Sequence, residues 1–178
     1  ETSERLFRQH CKPLHGFTLV ELLIVVAIVA LLIGAAIPAV GAARRAADRT
    51  ACRGSLHGLG VALRMYLNQS NDVLPECPSM PSLGPPDEPP ITDALAPYIE
   101  APRAFKCPAD HEYFPREATS YAYNNLLGGQ RVRDTFLSQR FGEHMVFVMF
   151  DFEPFHGTPG EAGAANYLFA DGHVGDLQ

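Results

Sequence analysis

The polarity pattern divides the chain sharply. From Leu22 to Val40, nineteen successive positions carry neither a charged nor a polar side chain. As a helix this stretch reaches about 30 Å, the thickness of a hydrocarbon core. It has no polar stripe, so it must be covered on every side by lipid or by other helices. Pro38 inside it removes a backbone donor and predicts a kink or local unwinding, which Gly34 favours further. Beyond Pro38 the pattern becomes amphipathic. Cys52, Leu56, Leu59, Leu63 and Tyr66 recur at spacings of four and three, which makes one apolar stripe of a helix. Arg45, Arg49, Arg53 and Arg64 lie largely off that stripe. Gly54, Gly58 and Gly60 each lower intrinsic helix stability by about 1 kcal/mol, so packing must hold this half together. The polar run Asn68–Asp72 predicts the end of the helix.

Residues 75–97 hold eight of the fifteen prolines, which excludes a central strand or a long helix and predicts a connecting loop. A short helix is expected over Thr92–Ile99, capped by Thr92 or Asp93. Strand signals fill the last third. Ser120–Asn124 alternates polar and aromatic residues, and Met145–Phe152 is rich in Val and Phe. Asn166–Leu177 reads as two short strands around Asp171-Gly172, a pair that suits a type I′ turn. The expected fold is α+β: a long N-terminal helix whose second half packs, through the Cys52–Tyr66 stripe, on a small antiparallel C-terminal sheet.

Charge narrows the class. The net charge is −6, and residues 1–16 carry +1, so the remainder carries −7. An acidic body argues against nucleic acid as a partner. Four cysteines occur, at 11, 52, 77 and 107. Cys77 and Cys107 both precede proline in loop-like surroundings and are candidates for a disulfide in an oxidising compartment. Cys52, on the helix stripe, is expected to pack as a small apolar residue. Cys107 and His111 are zinc-ligand types, but no C-x₂-C pair accompanies them, so zinc is not expected.

The entry to the apolar run is the most specific signal. Lys12-Pro13-Leu14-His15-Gly16-Phe17-Thr18-Leu19-Val20-Glu21 joins a basic segment, a glycine, an aromatic residue and one carboxylate at the mouth of a membrane-length helix. A carboxylate there costs roughly 2.5–3.5 kcal/mol, so it needs a partner. This segment resembles the N-terminus of type IV pilins and type II secretion pseudopilins. The resemblance implies a leader of residues 1–16, an assembly helix over 17–41 and an extracytoplasmic domain over 42–178. It implies cleavage by a prepilin peptidase between Gly16 and Phe17, and N-methylation of Phe17. It also implies that Glu21 pairs with the free amine of a neighbouring subunit. Membrane insertion and filament assembly with other pilin or pseudopilin subunits follow, with the body outside the bacterial inner membrane. Charge counting does not itself give that orientation, because Arg44, Arg45, Arg49 and Arg53 follow the apolar run.

The other end carries a second resemblance. Phe105–Asp110, Ser120-Tyr121 and Ala165–Val174 are similar to a bacterial subgroup of pseudopilin-like proteins that end in a His…Asp-Gly module. Here fourteen residues separate His156 from Asp171, wider than the subgroup pattern. His156, Asp151, Asp171 and His173 invite a catalytic reading, but no serine or cysteine nucleophile motif accompanies them. Major pseudopilins of secretion systems bind calcium in a C-terminal loop. By that resemblance Asp151, Glu153, Asp171 and Asp176 are candidate oxygen ligands, although no EF-hand spacing is present. The leading expectation is a non-enzymatic structural subunit without a cofactor. The alternative is a membrane-anchored extracytoplasmic binding module that does not polymerise.

Overall fold

The computed structural model describes residues 17–177. The leader, Cys11 and the Gly16 side of the cleavage position lie outside the described residues. The chain divides between Gly41 and Ala42 into two units. Helix α1, Leu19–Gln69, begins in the first and ends in the second.

The first unit is helical from Leu19 onward, and the helix continues through Pro38, so the local unwinding expected there does not occur. Its large apolar side chains, from Leu19 to Val40, are 46–78% exposed. Burying such side chains is worth about 1.5–3 kcal/mol each, so this surface is built for lipid or for neighbouring helices. The helix is long and apolar enough to cross a membrane.

The second unit is an α+β domain, the arrangement the sequence predicts. Four strands form an antiparallel meander in chain order: β1 Tyr121–Tyr123, β2 Phe147–Asp151, β3 Tyr167–Phe169 and β4 Val174–Gly175. The register pairs Tyr121 with Asp151, Met149 with Leu168, and Leu168 with Val174. A bulge at Val148 interrupts the β2–β3 ladder. It shifts the alternation, so that Val148 and Met149 are both buried while Phe147 and Phe150 stay half-buried. Those two rings meet Tyr167 at centroid distances of 5.7–5.8 Å and form an aromatic cluster on the outer face.

The stripe on α1 packs as its spacing predicts. Cys52, Leu56, Leu59, Leu63 and Leu67 are buried with Tyr121, Tyr123, Val148, Met149 and Leu168 of the sheet, and Tyr66 packs at the margin. Gly60 allows the closest approach: a Cβ there would lie 2.8 Å from Leu168 Cδ1. Gly60→Val should therefore destabilise the domain by about 1–3 kcal/mol, read as a lower urea midpoint for the full chain in detergent. An unchanged midpoint would mean the helix stands off the sheet.

The helix ends at Gln69, and Asn71 and Asp72 take the left-handed conformation that reverses the chain (φ 56° and 63°). The proline-rich segment then crosses the domain as a loop pinned by specific bonds. Tyr123 Oη donates to Pro75 O (2.8 Å), and Tyr123 N donates to Ser79 O (2.9 Å). The short helix α2 spans Ile91–Leu95, and a 3₁₀ turn follows over Ala96–Tyr98. Pro90 stands at its N-cap, so neither Thr92 nor Asp93 caps it. A one-turn helix, α3, covers Phe114–Glu117, and α4 covers Phe136–Phe141.

The β3–β4 hairpin forms, with a different turn from the expected one. Phe169 N donates to His173 O and Gly172 N donates to Phe169 O. Only Gly172 has positive φ (91°), and Asp171 does not. The connection is a three-residue loop closed by a glycine bulge, in place of type I′.

Candidate functional site

The candidate residues of the N-terminal segment stand at the very start of α1. Phe17 is 74% exposed. Thr18 is the N-cap, and Glu21 stands at the third helical position. Glu21 Oε2 accepts from Thr18 N (2.9 Å) and from Thr18 Oγ1 (2.7 Å), and Glu21 N donates to Thr18 Oγ1 (3.2 Å). This is a reciprocal capping box, and its signature, Thr-x-x-Glu, was present in the sequence. The carboxylate thus also fixes where the helix begins, a role that reading it as an intersubunit partner alone does not supply.

A second constellation lies in the core of the other unit. Cys52 comes from α1, and Cys107 comes from the loop after the 3₁₀ turn Pro102–Phe105. Asp151 ends β2, and His156 lies in the loop that follows. Their ligand-type atoms all lie within 4.8 Å of one another. Cys52 Sγ donates to Asp151 Oδ1 (3.1 Å), and Cys107 Sγ meets His156 Nε2 at 3.4 Å. His156 Nε2 is 3.6 Å from Asp151 Oδ2, and both side chains are sealed from solvent, at 1% and 0% exposure.

Surrounding groups hold this cluster in place. Asp151 Oδ2 accepts from both Asn166 N and Asn166 Nδ2 at 2.8 Å. Tyr121 Oη lies 3.3 Å from Cys52 Sγ. Cys107 N donates to Ser120 Oγ (3.0 Å). Asp110 braces the same loop, because its carboxylate accepts from the amides of Glu112, Tyr113 and Phe114 at 2.8–2.9 Å. Burial pushes the Asp151 carboxyl up, against bonds from Cys52 and Asn166 and the electrostatic pull of His156, which favour its ionised form. The neighbouring thiols split. The neighbouring Cys52 thiol draws Cys107 toward thiolate, against burial and with help from His156, while the Cys107 sulfur and burial push Cys52 up.

These placements correct several expectations. Cys77 and Cys107 are free thiols, so the candidate disulfide is not formed. Cys107 faces Cys52 and His156, and burial pushes the Cys77 thiol up to about 12. Cys52 packs in the core, but its sulfur serves a polar cluster and does not act as a mere apolar filler. The four calcium candidates do not converge. Asp151 is sealed in the core, and Glu153 reaches Tyr113 Oη (3.3 Å). Asp171 holds His173 at the hairpin (2.6 Å), and Asp176 forms a bidentate pair with Arg49 (2.9 and 3.1 Å). His156 and Asp171 of the expected C-terminal module likewise serve different partners, and His111 is exposed outside the cluster.

The stripe-flanking arginines have a role the periodicity did not show. Arg49 pairs with Asp176, and Arg53 donates to Val174 O (2.7 Å), so two arginines one turn apart on α1 grip the last strand and the residue after it.

Residues 12–37 match the prokaryotic N-terminal methylation motif. The match covers the Gly16-Phe17 junction and Glu21, and it does not extend to the C-terminal module. No curated protein and no solved structure matches the chain. The motif and the long apolar helix support a type IV pilin-like protein of the prepilin-processed kind, and the helix followed by a small antiparallel sheet is consistent with the pilin fold.

Proposed function

We propose that the chain is a non-enzymatic structural subunit of a type II secretion pseudopilus or a type IV pilus. It is cut by prepilin peptidase between Gly16 and Phe17, held in the inner membrane as a single-pass protein with the 42–178 domain outside, and assembled through α1. The observation that carries this reading is the methylation motif at residues 12–37 leading directly into a helix whose apolar side chains are exposed all round. Packing against like helices covers that surface at close range. The new amine of Phe17 and the Glu21 carboxylate of a neighbour offset each other's desolvation. The sealed state of His156 and Asp151 supports a non-enzymatic role, since a substrate has no access to them.

The test is the N-terminal residue and intact mass of the protein taken from its native membranes. An N-methylated Phe17 is expected. A retained leader, or a terminus beyond Val40, would end the filament reading and leave an anchored or secreted module.

A further inference from the structure

We propose that Cys52, Cys107, Asp151 and His156 are the four ligands of a structural zinc site that ties α1 to the sheet. This does not rest on the filament reading. Two thiols, an imidazole and a carboxylate form a donor set suited to tetrahedral zinc, whereas calcium and magnesium take oxygen ligands. The spacing fits as well. Zinc bonds of about 2.0–2.3 Å at tetrahedral angles place neighbouring ligand atoms about 3.3–3.8 Å apart. Cys107 Sγ–His156 Nε2 and His156 Nε2–Asp151 Oδ2 stand at 3.4 and 3.6 Å, Cys52 Sγ lies 3.1 Å from the other carboxylate oxygen, Oδ1, and one ligand atom from each of the four residues lies within 4.8 Å of the rest. Only small shifts bring four atoms so arranged onto one ion.

The outer shell is that of a metal site. Asn166 orients the Asp151 carboxylate through two bonds, Tyr121 Oη faces the Cys52 sulfur, and Ser120 Oγ holds the Cys107 backbone. The nearby arginines do not act as counterions to the cluster, because Arg49 is engaged with Asp176 and Arg53 with Val174 O. A buried carboxylate beside two thiols is costly unless a cation joins them, and a dication removes that cost. All four positions come from protein and the four side chains are buried, which makes the site structural and not hydrolytic. The ligands come from four separate segments, Cys52 and Asp151 being 99 positions apart. The metal would therefore cross-link the helix, the Cys107 loop, β2 and the His156 loop.

The experiment uses the full chain in detergent, purified through an affinity tag without histidine. Elemental analysis should find about one zinc per chain. Exchange into Co²⁺ should give the visible absorption of a tetrahedral site and thiolate charge transfer in the near ultraviolet. Cys52→Ser, Cys107→Ser and His156→Ala should each lose the metal, and Cys77→Ser should keep it. Asn166→Ala should weaken zinc binding by about 10–100-fold. A metal-free wild-type chain that takes up neither zinc nor Co²⁺ would overturn the proposal, as would a Cys52–Cys107 disulfide found by mass spectrometry. Should the ligand variants fail to fold, the wild-type stoichiometry and the Co²⁺ spectrum still decide.

Discussion

Glu21→Leu should leave a processed, membrane-inserted protein that no longer enters filaments. In the proposed assembly the Phe17 amine of each subunit meets the Glu21 carboxylate of a neighbour in apolar surroundings. Removing one partner of such a pair costs about 3–5 kcal/mol, because the other charge is left buried and alone. At 1.4 kcal/mol per tenfold, assembly should fall by more than about a hundredfold. The capping box complicates the interpretation, since Leu also removes the bonds between Glu21 and Thr18. Glu21→Gln separates the two roles. Glutamine completes a capping box as glutamate does, yet carries no charge. Filament yield per unit of membrane protein should collapse for both variants. Wild-type yield from Glu21→Gln would sink the charge-pairing idea and leave only the helix start.

Leu59→Ala should destabilise the C-terminal domain by about 2–5 kcal/mol, among the largest losses available from a single truncation. Leu59 is fully buried in the middle of the stripe, with Leu56 before it and Leu63 after it. The facing strands cannot collapse easily into the void, because they are held by the ladder and by the Arg49 and Arg53 grips. Leu31→Ala in the exposed half of the same helix is 73% exposed in the wild type and should shift folding stability by less than about 0.5 kcal/mol. Urea unfolding of the full chain in detergent, followed by tyrosine fluorescence, gives both numbers. A loss below about 1 kcal/mol for Leu59→Ala would mean that the helix-on-sheet core is not the main source of stability.

What could be read from the chain was what repeats. The spacing of Cys52, Leu56, Leu59 and Leu63 located the helix face, and the apolar runs at Tyr121, Phe147 and Tyr167 located the sheet, because helices and strands impose fixed periods on burial. The buried cluster has no period. Its four members are brought together by tertiary packing, and Cys52 sits within an apolar stripe where a cysteine attracts no notice. The disulfide expectation paired two cysteines by their shared proline context, which says nothing of where the sulfurs point. The calcium candidates came from resemblance, yet hairpin and loop positions direct Asp151, Asp171 and Asp176 to different partners. The capping box was legible and was overlooked: Thr18-x-x-Glu21 is a local rule, eclipsed by the stronger resemblance around it.

The brevity of the outer strands has its own consequence. β1 has three residues and β4 two, and Tyr123 N of β1 is already bonded to Ser79 O. A sheet edge that short offers little backbone for another molecule to copy. Subunits crowded side by side in a membrane, as the proposed role requires, would meet at concentrations that turn longer open edges into templates for runaway stacking. In that role growth would be steered away from the sheets, and polymerisation would be left to the helices.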